Sequence, residues 1–431
     1  MQKTIKSARP TLETLENRLV PATLAFEVDS VVKTTPVDVQ THQVLRGGIT
    51  VETGKVVTNT EYFHGDYSFT SDENGYGRNV QTRENTVVDS ESWTRIQYPN
   101  GSGAYYSVTV QQDVGSTNGN SFDVSIDGSH EINHVSSYTS YSVSTYSSRW
   151  DGRGNSTSIS TFSRHYVSEY SGDYEYLSAY GSTYSGENQG GSVQDVSETR
   201  YIYGFADGSV RQSMTGFSKI RFDYNSSYSN EYADGSWSVG ASKRTDTSVG
   251  RSTEQSTLIK GTFTQVSLNY AIGDITKHES FAMFMADDQS FQSHTVQQNI
   301  SEDWLTRRTL ITAPSGVTID IQSSIVSVFG QTKVNTVDMD ATGTVFRGTG
   351  LQTFTLRTAV QDTSVANASG QVTYHSHNVI VTPKVTTKTS VSGVVTPANK
   401  DLALRAKDHV LSLYGSPLDQ YTEGLSNAIF A

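Results

Sequence analysis

The segment His130-Glu131-Ile132-Asn133-His134 has the order H-E-x-x-H. Two histidines one helical turn apart can bind a single Zn²⁺, and the glutamate between them can act as general base on a metal-bound water. That chemistry requires a helix. On a strand the two imidazoles stand about 13 Å apart, four residues at about 3.3 Å each, and the glutamate points to the opposite face. The neighbouring residues read as strand: Asp127-Gly128 precedes the motif, and Val135 to Tyr141 follow it with serine, β-branched and aromatic residues in no helical stripe. Ser137 and Ser140 stand where a longer zinc pattern needs glycine and a third histidine. The reading therefore assigns no catalytic residue, and a secreted metal-dependent hydrolase using His130, Glu131 and His134 is kept as an alternative.

Two weaker metal motifs lie further on. His375 and His377 are two apart, so a strand places both on one face, close enough to chelate, though no third ligand can be named. Asp338 and Asp340 open a run resembling a calcium loop, but Thr342 replaces the third carboxylate and Thr349 the closing glutamate. A polar turn between Val337 and Val345 accounts for it better. The sequence contains no nucleophile elbow, phosphate loop or dinucleotide fingerprint, and no cofactor is implied.

The elements that must carry these residues are strands. Of 431 residues only 18% are charged, and 24 tyrosines and 35 glycines sit among long serine and threonine runs, a composition favouring pleated strands and tight turns. The expected class is all-β. Net charge is −12 with the basic residues scattered, so no nucleic-acid footprint exists. Cysteine is absent, which removes disulfides and thiolate chemistry, and no apolar run is long enough for a transmembrane helix.

Turn signals fall at Asn74-Gly75, Asn100-Gly101, Asp127-Gly128, Asp151-Gly152, Asp207-Gly208 and Asp234-Gly235, with a gap whose missing turn belongs near Gly181. Read as two-residue type I′ loops, they give a meander of repeated hairpins in units of about 27 residues. Each unit would hold two strands of about ten residues. In this register Tyr203 faces Gln212, Tyr201 faces Met214 and Tyr232 faces Trp237, and Arg211 points to the other face. Tyrosine and serine on both faces between Ser136 and Ser182 suit an exposed single-layer or curled sheet.

Pro10, Leu12, Leu15 and Leu19 outline a short amphipathic helix ended by Val20-Pro21. Leu15-Glu16-Asn17-Arg18-Leu19-Val20-Pro21-Ala22, preceded by Arg9-Pro10 and Leu12-Glu13, resembles the N-terminal L-E-x-R-x-x-P-A motif of secreted and surface proteins of planctomycete bacteria. Asn17 departs from the Asp or Pro usual there. The resemblance implies export and a surface location; it implies no fold and no activity.

The expected organisation is an export segment over 1–22, a Ser/Thr/Tyr-rich hairpin region over 23–257, a more apolar β region over 258–388, a linker over 389–399 and a helical cap over 400–431. Within the cap one helix is expected from Asp401 to Tyr414 and a second from Ser416-Pro417, covering an open sheet edge. The functional expectation is a non-catalytic extracellular or cell-surface protein with a structural, adhesive or matrix role, with self-association or other matrix components as partners. An outer-membrane β-barrel is the first alternative.

Overall fold

The computed structural model describes residues 22–34, 37–72 and 75–414. The expected N-terminal helix and the second C-terminal helix both lie outside the described residues. Fifteen strands follow one another: β1 (Ala22–Lys33), β2 (Val37–Leu45), β3 (Ile49–Asp72), β4 (Gly75–Gln97), β5 (Gly103–Ser125), β6 (Gly128–Trp150), β7 (Ser156–Ser178) and β8 (Thr183–Gly204). Then come β9 (Val210–Glu231), β10 (Trp237–Ile259), β11 (Thr262–Met285), β12 (Phe291–Thr312), β13 (Thr318–Met339), β14 (Val345–Ala366), β15 (Val372–Ser392) and the helix α1 (Lys400–Ser412). All pair antiparallel in sequence order, except that β1 and β2 lie end to end along one side of β3. The all-β meander expected from composition is therefore present, as one continuous sheet across both β regions.

The repeat length agrees with the sequence reading, but its content does not. Each unit is one strand of 21 to 24 residues plus a turn, about 75 Å long, where two ten-residue strands were expected. Turn-forming pairs do occur inside strands, Asn118-Gly119 in β5 and Gly190-Gly191 in β8, but pairing with both neighbouring strands holds them extended. The gap in the signals is filled as expected, with Gly181 at φ 88° in a turn closed by Gly181 N–H donating to Ser178 O.

The register is also shifted by one residue. Gly208 N–H donates to Phe205 O, Phe205 N–H donates to Ser209 O, and only Gly208 has a positive φ, 82°. This is a three-residue loop, a type I turn followed by a left-handed glycine. The Asp207 carboxylate accepts from Ser209 N–H at 2.9 Å and so holds the aspartate in the turn. Tyr203 consequently pairs with Arg211, Tyr201 with Ser213 and Glu231 with Trp237. Arg211 therefore shares the tyrosine face, its guanidinium 5.7 Å from the Phe205 ring centre. A type I′ loop does occur, at Lys260-Gly261 with φ of 49° and 79°.

Most strand residues remain partly exposed on both faces. The accessible surface is 27097 Å², against about 16,000 Å² for a compact chain of this mass. Among the described residues the buried apolar clusters lie in the C-terminal part, as the richer Val, Ile, Leu and Phe content predicts. One joins Ile300, Val326, Val328, Phe354 and Leu356; two others join Val334 and Phe346 to Leu402, Ala406, Val410 and Tyr414. α1 begins one residue from its expected start and sets Leu402, Ala406 and Val410 on one stripe. It packs on β13, β14 and β15, covering a face of the sheet and not the outer edge of β15. The reason is apolar area: Gly348 and Gly350 leave room for Val410 and Tyr414 against β14, whereas the edge offers backbone polar groups.

Candidate functional site

The H-E-x-x-H segment lies within β6, so His130 and His134 stand about 13 Å apart on one face. His130 pairs with Asp123 and Tyr176, His134 with Gly119 and Gly172. The Glu131 carboxylate, on the other face, accepts from Asn120 Nδ2 at 3.4 Å. The structure does not bring these three side chains together.

His375 and His377 share a face of β15, and Asp362 of β14 lies between them. Asp362 accepts from His375 Nε2 at 2.9 Å and from His377 Nδ1 at 3.4 Å. The partner of the histidine pair is thus a carboxylate one strand away, placed by the pairing of His377 with Asp362, and the three do not form a metal-binding group. All three side chains are more than a third exposed.

Asp338 and Asp340 do not form a calcium loop. Asp340 Oδ1 accepts from Thr342 N–H, Thr342 Oγ1 and Thr344 N–H at 3.0, 2.7 and 2.9 Å, so it closes its own turn. Those bonds, the Thr342 hydroxyl foremost, hold its carboxyl below the usual range. Asp338 turns away onto the helix-covered face, where its side chain is 1% exposed. It accepts from His409 Nδ1 at 2.9 Å and from Gln292 Nε2 at 3.3 Å. His409 Nε2 in turn lies 3.4 Å from His294 Nδ1. Burial, followed by the charge of His409, pushes the His294 imidazole below its ordinary value.

A fourth group sits on the first edge row. His64 of β3 lies 2.7 Å from Asp29 and 3.5 Å from Glu27 through Nδ1, and 3.0 Å from Asp66 through Nε2. The Asp29 hydrogen bond, then that of Asp66, raises the His64 pKa. Neither this group nor the Asp338–His409–His294 chain has a local motif, because each joins residues tens of positions apart through strand register or helix docking.

Aromatic side chains form a further feature, on the face that α1 covers further along. Trp93, Tyr105 and Tyr146 run across β4, β5 and β6 at ring separations of 6.4 and 5.9 Å. Tyr176, Tyr184 and Tyr232 form a second row across β7, β8 and the β9–β10 turn at 5.7 and 5.8 Å, toward the opposite strand ends, since Tyr146 pairs with Ser160 but Tyr176 with His130. Between them Gly54, Gly115 and Gly240 lie directly across from Trp93, Tyr138 and Tyr228, whose rings occupy the space a side chain would take. Ring-on-glycine contacts give a polar single-layer sheet apolar contact that its serines cannot supply.

No protein-family model matches the chain, and no curated protein matches it. Among solved structures, the ferric-catecholate import receptor Fiu of E. coli K12 is similar at 7% identity and TM-score 0.19, over 86% of this chain and 81% of that one. CdiB from Acinetobacter baumannii is similar at 11% identity and TM-score 0.12, over 90% and 65%. Scores this low carry no argument about shared architecture or role.

Proposed function

We propose that the protein is a non-catalytic extracellular or cell-surface component with a structural or adhesive role, built as one large open sheet. The observation that carries this reading is that β1/β2 and β15 have no hydrogen-bonded neighbour on their outer sides among the described residues, while both faces are largely serine, threonine and tyrosine. Such edges are ready templates for strand addition by further copies or other matrix strands. Pro383, Lys384 and Lys388 on β15 are edge residues of the kind that limits unregulated pairing. Export is supported by the planctomycete-type motif at residues 15–22. The barrel alternative needs an apolar band about 25 Å tall on one face of every strand. It is disfavoured by Arg221 and Asp223 mid-strand on one face of β9 and by the Ser-Gly-Ser-Arg-Asp face of β10, at positions 238, 240, 242, 244 and 246.

The deciding experiment is small-angle scattering of the full chain prepared without detergent, with hydrogen exchange on β15. Soluble, extended particles with fast-exchanging outward amides on β15 are expected. Material dispersed only by detergent, with β15 protected throughout, would overturn the reading in favour of a closed barrel.

A further inference from the structure

We propose that His294 and His409 form a two-imidazole seat for a late divalent transition-metal cation, Zn²⁺ or Ni²⁺, which ties α1 to β12. His294 Nδ1 and His409 Nε2 face each other at 3.4 Å, with the rings at 83°. Two nitrogens bound to one tetrahedral cation at about 2.0–2.1 Å are separated by about 3.3–3.4 Å. A direct N–H to N bond favours a shorter contact, near 3.0 Å.

Three further observations fit a cation. Asp338 Oδ1 accepts from His409 Nδ1 at 2.9 Å, which fixes the tautomer and leaves the Nε2 lone pair facing His294. Thr336 Oγ1 and Asp338 Oδ2 are buried without a protein partner, and Thr336 lies directly across from His294; waters on the cation would donate to such oxygens. The His409 side chain is 15% exposed, so an ion can enter. Imidazole ligands select zinc, nickel and copper over calcium or magnesium. Without metal, His294 Nδ1–H donates to His409 Nε2; with metal, that proton moves to His294 Nε2. Binding therefore releases no proton while both rings are neutral.

The test uses the full chain carrying His42→Asn, His64→Asn, His165→Asn, His375→Asn and His377→Asn, which removes the other histidine–carboxylate pairs among the described residues. Zn²⁺ and Ni²⁺ are titrated calorimetrically, and melting and hydrogen exchange of residues 400–412 are followed. One equivalent should bind and raise the melting temperature, Ca²⁺ should do neither, and adding His294→Gln or His409→Gln should weaken binding at least tenfold. His294→Gln lies on the sheet and leaves the helix stripe intact, so it decides if His409→Gln undocks α1. Saturable binding unchanged by His294→Gln, or no binding by a chain whose α1 is protected, would overturn the proposal.

Discussion

Phe354 lies directly across from Gly330 in the β13–β14 ladder, and its ring occupies the space that a β-carbon on Gly330 would need. Phe354 is 1% exposed, so the ring has nowhere to go. Gly330→Ala should destabilise the protein by about 2 kcal/mol, the usual cost of overpacking. A lowered urea midpoint at unchanged slope would show it, and Gly330→Ala combined with Phe354→Leu should recover part of the loss.

The α1 contact rests on Val410, which is fully buried and fits against Gly348. Val410→Ala should weaken docking by about 1.5 kcal/mol. Val410→Asp buries an unpaired charge and should detach the helix, seen as rapid exchange over 400–412 with the strand signal retained.

Two histidines give opposite pH responses. His64 has a raised pKa in the fold, through Asp29 first and then Asp66. Its stabilising effect is full below the unfolded value of about 6.5 and is lost as pH rises through the folded value. His294 is lowered by burial and by His409. The unfolded chain then binds the extra proton first, so stability falls as pH drops from about 6.5 toward the folded value. Amides of β1 should exchange faster on alkalinisation and those of α1 on acidification, and His64→Gln should remove only the first effect.

Lys260 sits at φ 49° in the type I′ loop before Gly261. Asparagine accepts that conformation more readily than lysine. Lys260→Asn should therefore stabilise by about 0.5 kcal/mol, and Gly261→Val should cost more than it gains, both measured as shifts in thermal midpoint.

The period of the sheet was legible because Gly with Asn or Asp marks a chain reversal locally. Strand length was misread because a repeat length does not say whether one strand or two fills it. The one-residue shift at Asp207-Gly208 was beyond a dipeptide rule, since Asp207 can sit right-handed with its carboxylate on Ser209 N–H, and a single extra loop residue exchanges the faces. The histidine motif of β6 was legible as a pattern and lost its meaning once placed on a strand.

By itself the sequence determined an all-β chain of tyrosine-rich hairpins at a repeat of about 27 residues, with a more apolar C-terminal part and an amphipathic helix near its end, because composition and periodicity act within a few residues. Only the tertiary structure decided which side chains meet. Asp338, His409 and His294 come together because α1 docks on the glycine-lined face of β14, and Asp29, His64 and Asp66 because β1 pairs with β3 in one register. Both depend on contacts between segments far apart in the chain, where no local pattern reaches.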